Sequence, residues 1–421
     1  MQTTIGREFA GTPEADEAAA IVRKCVHCGF CNATCPTYQL LGNELDGPRG
    51  RIYLVKGALE GAEVTRSTQE HLDRCLTCLA CETTCPSGVE YGRLLHIGRR
   101  VVGRKVPRPV GQRFLRWALR TGLTSRLFAP LVSLGRRASP MLPRAWRHRV
   151  GVQPSQRAQD WPSRLHARKV LLLAGCVQPA LRPNINAATA RVLDAAGIQV
   201  ILAPGAGCCG ALMTHLDDAA GGLADMRRNI DAWWPLVDAG DIEAIVSNAS
   251  ACGAMVKDYG HALAGDARYA AKAARISALA RDLSEWLPEL SGRLTGQLAG
   301  QLDGAGGRAA PRRIALHSPC TLQHGQRLRG GIEAQLAALG FEVSVPAEGA
   351  HLCCGSAGTY SILQPRLAGQ LREQKLRQLQ ARGPEVIVSA NIGCIEHLQA
   401  GTHIPVRHWV EVLDEVICPG P

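Results

Sequence analysis

Apolar and polar positions fall into three regimes along this chain. Up to residue 98 the pattern is helical and broken into short pieces. Thr12 and Pro13 read as an N-cap and a first helical position, with Glu14, Asp16 and Glu17 in the opening turns and a helix to about Lys24. Short helices are also expected over Ile52–Leu59 and Thr68–Arg74. From Gln112 to Leu134, Phe114, Leu115, Trp117, Leu119, Leu123, Leu127, Phe128, Leu131 and Leu134 form an apolar stripe at helical spacing among arginines. Beyond Lys169, short apolar runs alternate with helical stretches, the pattern of parallel α/β units.

In that last regime Val170–Ala174, Gln199–Ala203 and Glu243–Ser247 read as strands. Helices are expected over Ala187–Ala196, Asp225–Val237 and Ser277–Leu287, the last ended by Pro288. Gly292 to Pro311 is glycine-rich and reads as a linker. The same order then recurs. Strands are expected over Arg313–His317, Phe341–Val345 and Val386–Ser389, and helices over Ile332–Leu339 and Leu363–Leu379. Pro405 to Asp414 reads as a strand end running into a helix. Ala195-Ala-Gly-Ile-Gln-Val200 matches Ala338-Leu-Gly-Phe-Glu-Val343, and Ile245-Val-Ser247 matches Ile387-Val-Ser389. The expected fold is α+β and multidomain. A helical domain (1–98) and a connector (99–168) precede two related parallel-sheet modules (169–291 and 312–421), with the linker (292–311) between them.

Cysteines add the chemistry. Cys25-x2-Cys28-x2-Cys31-x3-Cys35-Pro36 recurs as Cys75-x2-Cys78-x2-Cys81-x3-Cys85-Pro86. This is the bacterial two-cluster ferredoxin spacing, in which three thiolates grip one cubane and the fourth crosses to the other. The expected ligand sets are Cys25, Cys28, Cys31 and Cys85 for one [4Fe–4S] cluster, and Cys75, Cys78, Cys81 and Cys35 for the second. Structural zinc favours two ligand pairs, which a third evenly spaced cysteine does not suit. A disulfide framework is disfavoured by the tiny loops it would close. Arg49 and Arg51 read as structural, solvated arginines, with a role beside the anionic clusters as the alternative.

Each α/β module carries four more thiols after its strands: Cys176, Cys208, Cys209 and Cys252, then Cys320, Cys353, Cys354 and Cys394. Ligands gather at the carboxyl ends of parallel strands, so each set is a candidate for a further metal or iron–sulfur centre. Inert buried cysteines are the competing reading. His215, His317 and His351 lie near these thiols, as ligands, proton relays or ordinary structural histidines. Cys418 is left over and reads as a free thiol.

The net charge of +12 is concentrated. From Arg99 to Arg168 there are seventeen Lys and Arg against one acid, Asp160. Three readings of the basic amphipathic stretch stay open. It could pack on the protein's own core with solvated arginines, dock an acidic partner subunit, or lie on anionic lipid. No nucleic-acid motif accompanies the charge, no Walker loop or dinucleotide fingerprint is present, and no segment has the roughly 20 apolar residues of a membrane span. With no signal-peptide pattern at the N-terminus, the expected location is cytoplasmic, peripheral on the inner face of the cytoplasmic membrane.

A twin ferredoxin motif followed by two Cys…Cys-Cys-Gly…Cys modules resembles the iron–sulfur subunits of flavin dehydrogenases. Asp46-Gly-Pro-Arg-Gly-Arg-Ile-Tyr53, Ser247-Asn-Ala-Ser-Ala-Cys-Gly-Ala-Met255, Ser389-Ala-Asn-Ile-Gly-Cys-Ile-Glu-His-Leu398 and Pro405-Val-Arg-His-Trp409 resemble the glycolate oxidase iron–sulfur subunits in particular. The resemblance implies FAD-containing partner subunits that oxidise glycolate to glyoxylate, with this chain passing electrons toward quinone and having no catalytic residues of its own. Related lactate, glycerol-3-phosphate and heterodisulfide enzymes are the alternatives. Ala249 and Asn391 stand where other such modules carry a fifth cysteine. That departure argues against disulfide chemistry.

Overall fold

A computed structural model describes residues 1–125, 127–138, 158–298 and 313–418. In the N-terminal region the helices Pro13–Lys24, Pro48–Glu60, Arg66–Asp73 and Tyr91–Lys105 enclose a core that includes Val22, Ile52, Leu59, Leu72, Leu94 and Leu95. Thr12 caps the first helix by accepting from Ala15 N, and the chain leaves it in extended conformation at Cys25. A Cβ on Gly98 would sit 2.3 Å from Val55 Cγ2. The missing side chain lets the second and fourth helices approach closely. The fourth helix runs through the boundary expected at residue 98.

The two modules have the same topology. Strands β1 (Arg168–Leu172), β2 (Ile198–Ile201), β3 (Ala244–Ser247) and β4 (Ala280–Asp282) form a sheet in the order β2-β1-β3-β4. Strands β5 (Arg313–His317), β6 (Glu342–Ser344), β7 (Val386–Ser389) and β8 (Val406–His408) form another in the order β6-β5-β7-β8. All pairings are parallel, with Val170 opposite Val200 and Ile314 opposite Val343. Crossover helices cover both faces, so central strands such as β3 and β7 are buried along their whole length.

Two expectations change. The helix expected over Ser277–Leu287 is divided: a helix ends at Leu279, β4 follows, and a 3-10 turn over Leu283–Trp286 leads into the helix Leu287–Leu298. Pro288 opens that helix, where its absent N–H is not needed. The first residues of the glycine-rich stretch are therefore helical, and residues 299–312 lie outside the described ones.

The stripe from Gln112 to Leu134 is two helices, Val110–Thr124 and Phe128–Ala138. Between them Ser125 Oγ accepts from Leu127 N, and Pro130 falls in the first turn of the second helix. Their orientation overturns the reading of a helix packed on its own core with solvated arginines. No residue of Val110–Thr124 is buried, and Val110, Phe114 and Trp117 are 79%, 65% and 53% exposed. Arg108, Arg116 and Arg136 turn inward. The side chains of Arg108 and Arg116 are only 9% and 11% exposed and pair with both Asp73 and Asp217. Arg136 donates to the carbonyls of Ala180 and Leu181.

A single apolar core runs through both modules. The C-terminal helix Trp409–Ile417 packs on the helix Asn184–Ala195 of the first module. Arg191 pairs with Asp414, Asn184 donates to Glu411, and His408 Nε2 donates to Asn248 O at 2.8 Å.

Candidate metal centres

The N-terminal cysteines surround two adjoining cavities. One is lined by Cys25, Cys28, Cys31 and Cys85, together with Cys81. The other is lined by Cys35, Cys75, Cys78 and Cys81. Their loops coil alike. His27 and Gly29 in the first, and Thr77 and Leu79 in the second, adopt left-handed backbone. For each non-glycine residue that conformation costs roughly 1–2 kcal/mol. Cys35 and Cys85 follow the short helices Phe30–Ala33 and Ala80–Thr84 in extended conformation. There the chain changes direction, so each thiol lines the cavity belonging to the other run.

Electrostatics fit a thiolate-rich ligand. Burial and the nearby Cys25, Cys85 and Cys28 push the Cys31 thiol up to about 11, and burial raises Cys78 and Cys81 as well. Such thiols ionise when a cation binds them. Arg49 lines the first cavity and Arg51 the second. Arg51 is 1% exposed, which overturns its reading as a solvated arginine. Its guanidinium donates to His71 O and Thr37 Oγ1 and lies 3.6 Å from Asp46. Burial opposes its charge, but Cys75, Tyr91, Cys35 and Asp46 outweigh that cost and raise its pKa. Tyr91, 4% exposed, borders both cavities and donates to Cys75 Sγ at 3.6 Å. Four thiols per cavity, a buried guanidinium and donors aimed at sulfur make a donor set that fits a [4Fe–4S] cluster in each.

Each module gathers its four cysteines at the carboxyl end of its sheet. In the first, the free thiols of Cys176 and Cys209 stand beside Cys208, and that of Cys252 beside Cys209, each close enough to perturb its neighbour's ionisation. In the second, Cys320 Sγ lies 3.7 Å from Cys353 Sγ, and the free thiols of Cys353, Cys354 and Cys394 adjoin in turn and perturb one another's ionisation. Gly210 and Gly355 have φ of 91° and 92°, and a Cβ on either would lie 2.7 Å from a helix carbonyl, of Gly222 or Ala368. That close approach holds each Cys-Cys pair against its crossover helix.

The surroundings differ. Asn229 bridges Gly207 N and Cys208 O in the first module, and Lys375 donates to Gly349 O and Ala350 O in the second. His317, at the end of β5, meets Cys354 and Cys394. His351 offers its carbonyl to His324 Nε2, so His324 Nδ1 is the acceptor facing Thr83 and Arg329. His215 stacks on His96 at 5.2 Å.

The second module also touches the N-terminal region. Leu76 and Cys78 share one apolar cluster with Cys320, Cys353 and Tyr360. Tyr360 donates to Arg74 O at 3.1 Å. Sequence reasoning missed Tyr91, Lys375 and Tyr360. A lone tyrosine six residues past Cys85, or a lysine among helical polar residues, carries no local sign that it faces a thiol.

Together these features define an iron–sulfur protein with a helical ferredoxin-like domain and two cysteine-rich α/β modules. A 4Fe-4S dicluster domain matches residues 21–89, and a cysteine-rich domain matches twice, at 170–257 and 314–399. The chain is 52% identical to the glycolate oxidase iron-sulfur subunit of Escherichia coli (strain K12), over 99% of both chains. It is 29% identical to the probable glycolate oxidase iron-sulfur subunit of Bacillus subtilis (strain 168), over 90% of this chain and 88% of that one. Lactate utilization protein A of Geobacillus thermodenitrificans (strain NG80-2) is 26% identical over 58% of this chain and 98% of its own length. The chain belongs to the family of glycolate oxidase iron–sulfur subunits.

Proposed function

We propose that this chain carries electrons from a partner flavoprotein that oxidises glycolate to glyoxylate. That oxidation releases two electrons and two protons, and reduction of a quinone to the quinol consumes them. In this reading Cys25, Cys28, Cys31 and Cys85 hold one [4Fe–4S] cluster, and Cys75, Cys78, Cys81 and Cys35 hold a second. The thiol quartets of the modules hold further thiophilic metal. Bound clusters supply one-electron exchange; the chain's own residues set where and at what potential. Arg49 and Arg51 favour added negative charge at the two cavities, and the donor on Cys75 acts in the same direction.

One observation carries the reading: Cys78 of the second cavity packs against an apolar cluster that holds Cys320 and Cys353. The first cavity, the second cavity and the second module thus form a contiguous line. In the anaerobically purified complex, Cys85→Ser should weaken the EPR signal of the first centre and spare the second. Loss confined to the Cys75 centre would refute the pairing, and zinc without iron would refute the reading.

We also infer that the outward face of residues 110–134 meets anionic lipid. Phe114, Trp117, Leu127, Leu131 and Leu134 are exposed there, with the exposed Arg104, Arg113 and Arg137 around them. Rings and aliphatic groups flanked by guanidinium suit a headgroup boundary. No described helix is long and apolar enough to cross a membrane. Sedimentation with phosphatidylglycerol vesicles should fall at least fivefold in a Phe114→Ser, Trp117→Ser double variant. Equal binding by the variant, or lost flavoprotein binding with no change on vesicles, would assign the face elsewhere.

A further inference from the structure

The two modules repeat their strands and thiols but not the residue three positions before the first thiol, at the carboxyl end of the leading strand. Aligned on Cys176 and Cys320, the position of His317 is filled in the first module by Leu173. Leu173 is an ordinary core residue. His317 is 2% exposed, among thiols and apolar strands. Burying a polar nitrogen there without a partner costs free energy.

His317 Nδ1 lies 3.0 Å from Ser389 Oγ. Its Nε2 is buried and has no hydrogen-bond partner. The ligand atoms of His317, Cys354 and Cys394 lie within 4.8 Å of one another, and all three residues are buried. Nε2 is therefore the ring atom left free for a ligand. A tetrahedral ion with metal–sulfur bonds of about 2.3 Å sets its sulfur corners about 3.8 Å apart. The neighbouring Cys320 and Cys353 sulfurs, 3.7 Å apart, show the same spacing.

The outer groups fit as well. Metal-binding imidazoles have their second nitrogen held by a hydrogen bond, as Ser389 holds Nδ1. Asn391 Nδ2 donates toward Cys394 Sγ at 3.5 Å. Lys375 is buried in the same module, where burial lowers its pKa and the neighbouring Cys354, Cys353, Cys320 and Cys394 thiols partly offset that effect. In the first module Ala249 replaces Asn391, and the carboxylate of Asp225 stands beside Cys208.

We propose that the second module binds one thiophilic divalent ion, zinc or ferrous iron, through His317 Nε2, Cys354 Sγ and Cys394 Sγ. Cys353 Sγ or a solvent oxygen would fill the fourth position of a tetrahedral ion. The first module has no nitrogen ligand at the matching place. This rests on reading the modules as metal sites, and it adds ligand identity and nuclearity.

The test is metal content and X-ray absorption on full-length protein purified anaerobically. Wild type is compared with His317→Ala and with His317→Gln, which keeps a polar group of similar bulk. Each variant should lose one metal ion per chain and leave the EPR of the two N-terminal clusters unchanged. The wild-type zinc or iron edge should show a nitrogen scatterer at about 2.0–2.1 Å that the variants lack. Added Co²⁺ should give thiolate-to-cobalt absorption in wild type, and at least tenfold less in His317→Gln. Unchanged metal content, or loss of several irons together, would overturn the single-ion site. Loss of the N-terminal EPR signals in wild type would instead count against the wider electron-transfer reading.

Discussion

The two cysteine-rich modules are the same machine in different company. Their sheets share one strand order, and the glycines that close their Cys-Cys-Gly turns agree to within a degree of φ. The first module is pinned through Asp217 and Asp218 to the connector arginines. The second lies against Cys78 of the N-terminal region, with His317, Asn391 and Lys375 around its thiols. Repetition preserved the scaffold that delivers four thiols to a sheet edge. What changed is the set of polar groups that decides how those thiols are charged and what they can hold.

The comparison breaks most directly at the core the modules share. Trp409 is fully buried in an apolar cluster that spans both sheets. Trp409→Ala should destabilise the chain by about 3–5 kcal/mol. Chemical denaturation should still show one transition for both modules, because the lost side chain serves both. Two separated transitions, with only the second shifted, would mean that the modules fold independently.

A smaller effect sharpens the same interface. His408 is fully buried, and burial lowers its pKa to about 3, the bond to Asn248 O notwithstanding. The unfolded chain takes up this proton near pH 6.5, whereas the folded chain does so only near pH 3. Stability is therefore full above about pH 6.5 and falls as pH drops through that window, by at most about 1.4 kcal/mol per unit. His408→Gln should flatten the pH dependence relative to wild type between pH 6.5 and 5. Identical slopes in both proteins would show that His408 makes no such contribution.

How legible all this is from the sequence depends on range. The two four-cysteine runs announce themselves because ligand spacing is local, and the repeat shows because strands and thiols recur in the same order at similar intervals. Strand β4 is not visible: three residues, Ala280–Asp282, at a sheet edge are too few to display an alternation. The apolar stripe at 112–134 is visible, but its direction is not. The acids that turn Arg116 inward, Asp73 and Asp217, are 43 and 101 residues away in sequence. Likewise His215, His317 and His351 look equivalent as text, and only the sheet brings His317 to Cys354 and Cys394.

The inverted connector has a consequence for how the protein is made. Its outward face joins Val110, Phe114, Trp117, Leu127, Leu131 and Leu134 without a covering element among the described residues. Apolar surface of this kind finds a neighbour wherever one is available. On the lipid reading, a chain kept from its membrane surface would meet copies of itself first. The arrangement therefore imposes an order on assembly, in which the lasting occupant of that face must arrive before concentration does.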